Sequence, residues 1–592
     1  MASGRLVRLA RPHWPAFALG FALLLATNGL ALSLPWLLRE AIHAMERGAA
    51  LGVIARLALA MIVVALVQAV VRTASRLSIL GASRKIACEV RDTFFSQLTH
   101  MDAGYYDTHR TGDIMSRGVN DIQLIQSFFG PGVMNLLNTT IVYGATLVLL
   151  LGISVELTVV SLMLFPVLFF VVNRLSDKVY AYSKAVQEQL STISNRSQEN
   201  ISGIQQVKTY VQEEREIAAF RELCEEFRRR NLSMATVRGA MVALIGVVTG
   251  IGTLIVLFVG GRFVIEGRIG FGDFVAFNAY LAMLSWPTVA LGWIINTFQR
   301  GVGAMERLDE VFDSRPAIPP AAEASAASSA GTTAPVEGDI EIRRLTFAYD
   351  GAAPPDGPAA PAALCDVSIT IEAGSRVALV GPVGSGKSTL AGLIARVYPA
   401  PRGTIFIGGS DINDIPVERL RASIGYVPQE AFLFSRSLRD NVAFGQPDAT
   451  EEALSRALEV SHLGRDVAAF PSGADTIVGE RGVTLSGGQR QRATLARAVI
   501  GEPRILILDD ALSSVDADTE RAILDQLDRL MRGRTSILIS HRFSSLAGMD
   551  RIVVLDRGRV VEQGTHGELL ERGGLYARLY RRHRLETTLE QR

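Results

Sequence analysis

The stretch Val377-Ala378-Leu379-Val380-Gly381-Pro382-Val383-Gly384-Ser385-Gly386-Lys387-Ser388-Thr389 decides the fold of the C-terminal half. A short run of buried-strand character leads into G-x-x-x-x-G-K-[ST], and a helix-like sequence follows. That order of strand, glycine loop and helix is what a phosphate cradle requires. The glycines let backbone N–H groups wrap the phosphates of a nucleotide, Lys387 reaches the β and γ oxygens, and Ser388 ligates Mg²⁺. A second apolar run, Ile505-Leu506-Ile507-Leu508, ends in Asp509; a carboxylate at the C-terminal end of a strand can hold the same Mg²⁺ shell. Apolar runs alternating with helical stretches predict a buried parallel sheet in an α/β domain.

The chain is 592 residues long, which implies at least two domains. With 48% hydrophobic and 20% charged residues it is neither wholly disordered nor fibrous. Lys+Arg is 60 against Asp+Glu 59, so net charge supplies no reason to bind nucleic acid. Cys88, Cys224 and Cys365 are too few and too widely spaced for a disulfide framework or a metal site.

The N-terminal half reads as membrane. Pro12 to Leu38 is 27 residues without Asp, Glu, Lys or Arg, more than the ~20 that cross a bilayer as a helix. Comparable runs predict six spans, near 14–38, 48–71, 128–151, 157–173, 239–261 and 274–299, with a tight turn at Gly152–Glu156 between the third and fourth. The segments predicted inside carry 21 Lys and Arg residues, those predicted outside five (Arg39, Arg47, Arg56, Arg262 and Arg268). Both termini are therefore expected in the cytoplasm, and the first apolar run is too long for a cleavable signal peptide. In the longer of the two inner connections Val186, Leu190, Ile193, Ile201, Ile204 and Val211 recur at mostly helical steps, so the membrane helices are expected to continue as amphipathic helices into the cytoplasm. Residues 313–337 are rich in Pro, Ala, Ser and Thr and read as a tether. The expected layout is a transmembrane domain over 1–312, this linker, and a nucleotide-binding domain over 338–592, with a Pro/Ala/Gly surface loop at 351–363.

Leu485-Ser486-Gly487-Gly488-Gln489, about 100 residues after the glycine loop and shortly before the Asp509 strand, makes the chain resemble the ATP-binding cassette (ABC) transporters. Six spans followed by one cassette resemble an exporter half-transporter, which in that family works as a dimer. The resemblance implies that ATP and Mg²⁺ are the cofactors and assigns further roles. Tyr349 matches the aromatic residue that stacks on adenine. Gln429, in Tyr426-Val427-Pro428-Gln429, matches the glutamine that touches Mg²⁺, and His541, after Ile539-Ser540, the histidine at the γ-phosphate. Asp475 to Gly482 resembles the segment beside the signature. Ser513 to Asp516 resembles the D-loop, with serine in place of the more usual alanine. Ser486, Gly487, Gly488 and Gln489 would complete the site of the opposite subunit, with backbone N–H groups at a helix start facing the γ-phosphate. Coupling helices are implied near Thr111–Met115 and Ser202–Val211.

One position departs from the family. The residue after Asp509 is usually glutamate, which orients the attacking water; here it is Asp510. Aspartate is shorter by one C–C bond, ~1.5 Å, and an error of ~1 Å can cost ~10²-fold in rate. A slow site beside an intact signature resembles one subunit of a heterodimeric bacterial multidrug-type exporter in the cytoplasmic membrane, moving a small amphipathic or apolar compound, drug-like or lipid, amid membrane lipids. Asn138, Tyr143, Asn278, Trp286, Trp293 and Asn296 lie within the spans as candidate pocket residues. A homodimer with sluggish sites, an ATP-gated regulatory or channel-like subunit, and an importer with an exporter fold stay open at this point.

Overall fold

The computed structural model describes residues 2–163, 165–318, 336–349, 362–479, 482, 484–511, 523, 526–540, 542–543 and 546–590. The chain divides into two compact units, one of residues 1–96 and 115–313, the other of 97–114 and 314–592.

The first unit is helical. Trp14–Glu46 and Leu51–His100 carry the first two apolar runs. They pack through small residues: a Cβ on Gly20 would stand 2.4 Å from Ile79 Cγ1, and Ser75 Oγ donates to Gly20 O at 2.9 Å. Close backbone approach of this kind is how apolar helices associate where lipid removes the hydrophobic drive. The third run lies in a helical stretch from 111 to 153 interrupted by π turns at Arg117–Asp121 and Phe128–Gly132. It ends where Ser154 turns extended (φ −160°) and its hydroxyl caps the next helix by accepting from Leu157 N, inside the turn expected at 152–156. Phe165–Ser202 and Glu213–Ile255 are the long helices beyond the membrane runs. They lie antiparallel, tied by Gln189 Nε2 to Leu223 O (3.1 Å), Arg230 Nη1 to Ala185 O (3.0 Å) and Arg196 to Glu216 (2.6 Å).

Two features of these helices bear on the expectations above. Among the described residues, four helical stretches are long and apolar enough to cross a membrane: Gly4–Glu46, Leu51–His100, Thr111–Ile153 and Phe271–Asp313. The fourth run falls in the helices Val155–Leu162 and Phe165–Ser202, on either side of residue 164, which lies outside the described residues, and the fifth contributes a shorter apolar stretch, Gly250–Ile265. Val186, Leu190, Ile193, Ile201 and Ile204 lie in helix, whereas Val211 stands in a turn with φ +54°; Ile201, Ile204 and Val211 are exposed, and Gln189 is buried against the paired helix.

In the second unit a four-stranded antiparallel sheet is formed by β1 (Ile340–Phe347), β2 (Leu364–Ile371), β4 (Ile405–Ile407) and β5 (Ser410–Asp411) in the order β2-β1-β4-β5. A six-stranded sheet contains β3 (Arg376–Val380), β6 (Ile424–Val427), β7 (Ile505–Asp509), β8 (Thr535–Ile539), β9 (Arg551–Asp556) and β10 (Arg559–Gly564) in the order β10-β9-β3-β8-β7-β6. Strands β6, β7, β8, β3 and β9 are parallel and β10 antiparallel. All residues of β7 and β8 are buried, as the apolar runs Ile505–Leu508 and Ile537–Ile539 require of a sheet covered on both faces.

Residues 97–114, read above as part of the first domain, sort with the second unit. The physical cause is a set of polar ties: Gln97 Nε2 donates to Ser314 O (2.6 Å), Ala317 N to Asp102 Oδ2 (2.9 Å), and Tyr398 OH to Asp107 Oδ2 (3.0 Å). The helix that makes the last contact is Ala103–Thr108, capped by Asp102; the segment at 111–115 implied by resemblance follows it in the short helix Thr111–Ser116. His541, the D-loop at 513–516, Glu480–Arg481, and most of the linker and of the 351–363 loop lie outside the described residues.

Candidate functional site

Parallel strands deliver their C-terminal ends to one edge of a sheet, so residues far apart in sequence meet there. β3 leads into the glycine loop, β7 ends in Asp509 with Asp510 just beyond it, and β6 stops two residues before Gln429; β8, which ends two residues before His541, runs between β3 and β7.

The loop needs its glycines at two places above all. A Cβ on Gly381 would stand 2.1 Å from Leu555 O, which only glycine permits. Gly386 has φ +96° and caps the helix Lys387–Ile394; a Cβ there would meet Leu364 Cδ2 at 2.6 Å. Lys387 folds back over the loop, donating from Nζ to Gly381 O (3.0 Å), Pro382 O (2.9 Å) and Ser385 Oγ (3.4 Å). Its burial pulls the ammonium below the ordinary lysine range, while the carboxylates of Asp509 and Asp510 act in the opposite direction.

A cavity of about 310 Å³ is lined by Tyr349, residues Val383 to Thr389, Gln429, Asp509 and Asp510, together with Ala363 and Ile539. The predicted P-loop, adenine-side and carboxylate residues are thus brought to one place, apart from Gly381 and Pro382, which lie beneath as acceptors for Lys387. Tyr349 shares a 2.8 Å hydrogen bond with Thr389 Oγ1, and its ring meets those of Phe347 and Tyr398 edge-on, with centroids 5.2 and 5.1 Å away. Tyr426, in β6, has its phenol pushed up to about 12, by burial first and by the Asp509 carboxylate second, and stays a neutral neighbour. Asp510 adopts a left-handed backbone, φ +48°, and its N–H donates to Ile539 O at 2.9 Å. Aspartate tolerates that conformation better than most residues.

The donors fit a hard divalent cation. Ser388, Gln429 and Asp509 offer oxygen ligands in the same cavity, which with phosphate oxygens is the mixed set Mg²⁺ takes; no all-carboxylate or histidine cage occurs among the described residues. With Lys387 present as well, the arrangement can bind a nucleoside triphosphate and place a carboxylate, Asp510, beside its terminal phosphate.

The signature residues do not line this cavity. Ser486 caps the helix Gly487–Val499 in a capping box: its Oγ accepts from Gln489 N (3.2 Å) and its own N–H donates to Gln489 Oε1 (2.9 Å). The N–H groups of Gly487 and Gly488, at the first two helical positions, have no acceptor within the helix. Tyr398 and Asp466 were invisible to motif reading, since neither belongs to a pattern, and each becomes visible only by what it touches.

The comparisons agree with this geometry. A family model described as the ABC transporter transmembrane region matches residues 17–288, and one described as ABC transporter matches 364–513. The chain is 32% identical over 584 residues to the probable multidrug resistance ABC transporter ATP-binding/permease protein YheI of Bacillus subtilis (strain 168), covering 98% of this chain and 97% of that protein. It is 32% identical to the ATP-dependent lipid A-core flippase of Syntrophus aciditrophicus (strain SB), covering 97% and 93%. A solved structure of a bacterial Atm1-family ABC exporter with ATP bound superposes with a TM-score of 0.76 at 26% identity, over 97% of this chain and 99% of that one.

Proposed function

Since the chain belongs to the ABC transporter family, as an exporter-type half-transporter whose helical membrane domain is fused to an ATP-binding cassette, we propose that it exports an amphipathic or apolar compound, drug-like or lipid, across the cytoplasmic membrane as one subunit of a heterodimer. Membership makes it a multi-pass membrane protein that couples ATP hydrolysis to transport. The heterodimer, the class of cargo and the division into 1–312, 313–337 and 338–592 are our reading.

The observation that carries it is Asp510 in the cavity at the end of β7, where the family uses a carboxylate one methylene longer, in a chain whose signature helix keeps its N-terminal capping box. In this site Lys387 and the loop N–H groups bind the phosphates, Ser388, Gln429 and Asp509 would hold Mg²⁺, and Tyr349 offers a ring to the base. Mg²⁺, when bound, neutralises charge on the β and γ oxygens. Asp510 reaches the attacking water less well than glutamate, so hydrolysis here is slow. The competent site then uses the P-loop and glutamate of the other subunit with Ser486 to Gln489 of this chain.

An apolar cargo is supported by the helix Ser285–Asp313, on which Trp286, Trp293 and Asn296 are exposed in the single chain. Asn138 and Tyr143 are instead engaged between helices, with Asn28 and Thr288 respectively. The names of the relatives, a multidrug transporter and a lipid flippase, point to the same class. The test is native mass spectrometry of the transporter purified from its own membranes, followed by ATP-dependent uptake of a fluorescent lipid analogue and of a cationic dye into inside-out vesicles. The reading expects two different half-transporter chains and uptake dependent on Lys387. A complex of two copies of this chain would overturn the heterodimer; absence of ATP-dependent accumulation of either probe would overturn the assigned cargo.

A further inference from the structure

The amide of Gln489 is engaged at both ends within this chain. Its Oε1 accepts from Ser486 N–H at 2.9 Å, and its Nε2 donates to Asp466 Oδ1 at 2.8 Å. The other oxygen of Asp466 pairs with Arg492 Nη1 at 2.9 Å, and the same guanidinium reaches His462 O at 2.6 Å and Gly488 O at 3.4 Å. The side chains of Arg492 and Asp466 are 12% and 23% exposed, so the pair is partly withdrawn from water, whereas Ser486 is exposed. One carboxylate from the short helix Gly464–Ala469 thus grips two residues of the first turns of the signature helix.

We propose that Asp466 is a positioning residue for the ATP site completed by this chain's signature, and that Gln489 serves there as a strut between Asp466 and the Ser486 backbone rather than as a nucleotide ligand. The proposal rests on the reading that Ser486 to Gly488 complete a site in the partner subunit. Charge-assisted hydrogen bonds are the stronger ones and fix geometry. With the amide of Gln489 held by Asp466, the Ser486 hydroxyl and the N–H groups of Gly487 and Gly488 keep the orientation in which a γ-phosphate can be received. Without Asp466 the strut loses its far anchor and Arg492 keeps its charge with no acid beside it, so the helix start is free to shift. A shift of ~1 Å at a phosphate-orienting group costs about 10²-fold in rate. The effect falls on hydrolysis in the partner's site, not on nucleotide capture by Lys387 in this chain's own.

The test is a double-mutant cycle in the assembled transporter, purified with its partner, reading kcat and KM for Mg·ATP together with azido-ATP labelling of this chain. Asp466→Ala and Gln489→Ala should each lower kcat about 10- to 100-fold with labelling unchanged. The double variant should fall no more than about twofold below the weaker single, because both changes break the same strut. Asp466→Asn, which keeps an oxygen for Gln489 Nε2, should retain more activity than Asp466→Ala, and the cycle is run on it if the alanine variant does not assemble. Multiplied losses in the double variant, or wild-type kcat in Asp466→Ala, would overturn the proposal. A wild-type complex that neither labels nor hydrolyses ATP would overturn the proposed function itself.

Discussion

The phenol of Tyr398 donates a 3.0 Å hydrogen bond to Oδ2 of Asp107, 291 residues away in the chain. Tyr398 also meets the ring of Tyr349 edge-on, and Tyr349 is bonded to Thr389 of the glycine loop. The helix at 103–108 is therefore linked to the ring expected to stack on the base. Burial and the Asp107 carboxylate hold the Tyr398 phenol above the ordinary tyrosine range, so it stays a donor throughout physiological pH.

Removing the hydroxyl should separate binding from coupling. Tyr398→Phe keeps the ring against Tyr349, so KM for ATP should stay within about twofold, while stimulation of the ATPase by transported compound should fall. Tyr398→Ala also removes the edge-on ring pair, worth about 0.5–1.5 kcal/mol, and should raise KM ~2- to 12-fold. Steady-state kinetics of the two variants side by side decide this; an equal rise in KM for both would show that the hydroxyl, not the ring, supports Tyr349.

ATP affinity should depend on pH through Lys387. Its ammonium is buried and its pKa lowered, so without nucleotide it loses its proton at lower pH than an exposed lysine does. The phosphates demand the charged form, and affinity should therefore decline as pH rises through that lowered value, with proton uptake on binding. Stability of the nucleotide-free domain moves the other way, because between the folded and unfolded pKa values the unfolded chain binds more protons and stability rises with pH. Titration calorimetry between pH 7 and 10 reads the affinity term; a flat profile contradicts it. Lys387→Ala should abolish most labelling of this chain by azido-ATP while membrane insertion persists.

Asp510 and Ser486 should differ sharply in cost. Ser486→Trp would obstruct the helix start that the proposed function places at the partner's nucleotide, and loss of a transition-state donor costs ~10²–10³-fold. Asp510→Asn should reduce the ATPase of the complex by less than about twofold, since on the proposed reading the site it belongs to contributes little flux. Equal damage from the two would make Asp510 a working base, its left-handed backbone a built feature of that role, and a homodimer with two aspartate sites the better description.

Topology is testable by thiol labelling. In a chain with Cys88, Cys224 and Cys365 replaced, single cysteines at Ala49 and Arg268 should react with a membrane-impermeant reagent in intact cells, and one at Asp448 only after permeabilisation. The expectation rests on the 21-to-5 distribution of Lys and Arg. Any one site on the wrong side contradicts the six-span arrangement.

What was legible in the sequence was local or periodic. The strand–loop–helix over 377–394 and the carboxylate after Ile505–Leu508 are contiguous chemistry, and they stand where β3, the glycine loop and β7 stand. The apolar runs announce helices because a bilayer-length stretch without charge has few other uses. Their extension past the membrane was legible from period, as the helices Phe165–Ser202 and Glu213–Ile255 record. Whether that stripe is covered was not, since Ile201 and Ile204 carry the same pattern buried or exposed. Residues 97–114 look in sequence like a connection between two membrane helices; the ties of Gln97, Asp102 and Asp107 to residues more than 200 positions away place them with the cassette. Gln489 shows the same division within five residues. Its motif announces a phosphate-facing helix start, but that its amide is spent on Ser486 and Asp466 depends on a neighbouring helix brought alongside by packing. Periodicity and motif report the backbone's local state, whereas the partner of a polar side chain is set by which distant backbone arrives next to it, and only the assembled core decides that.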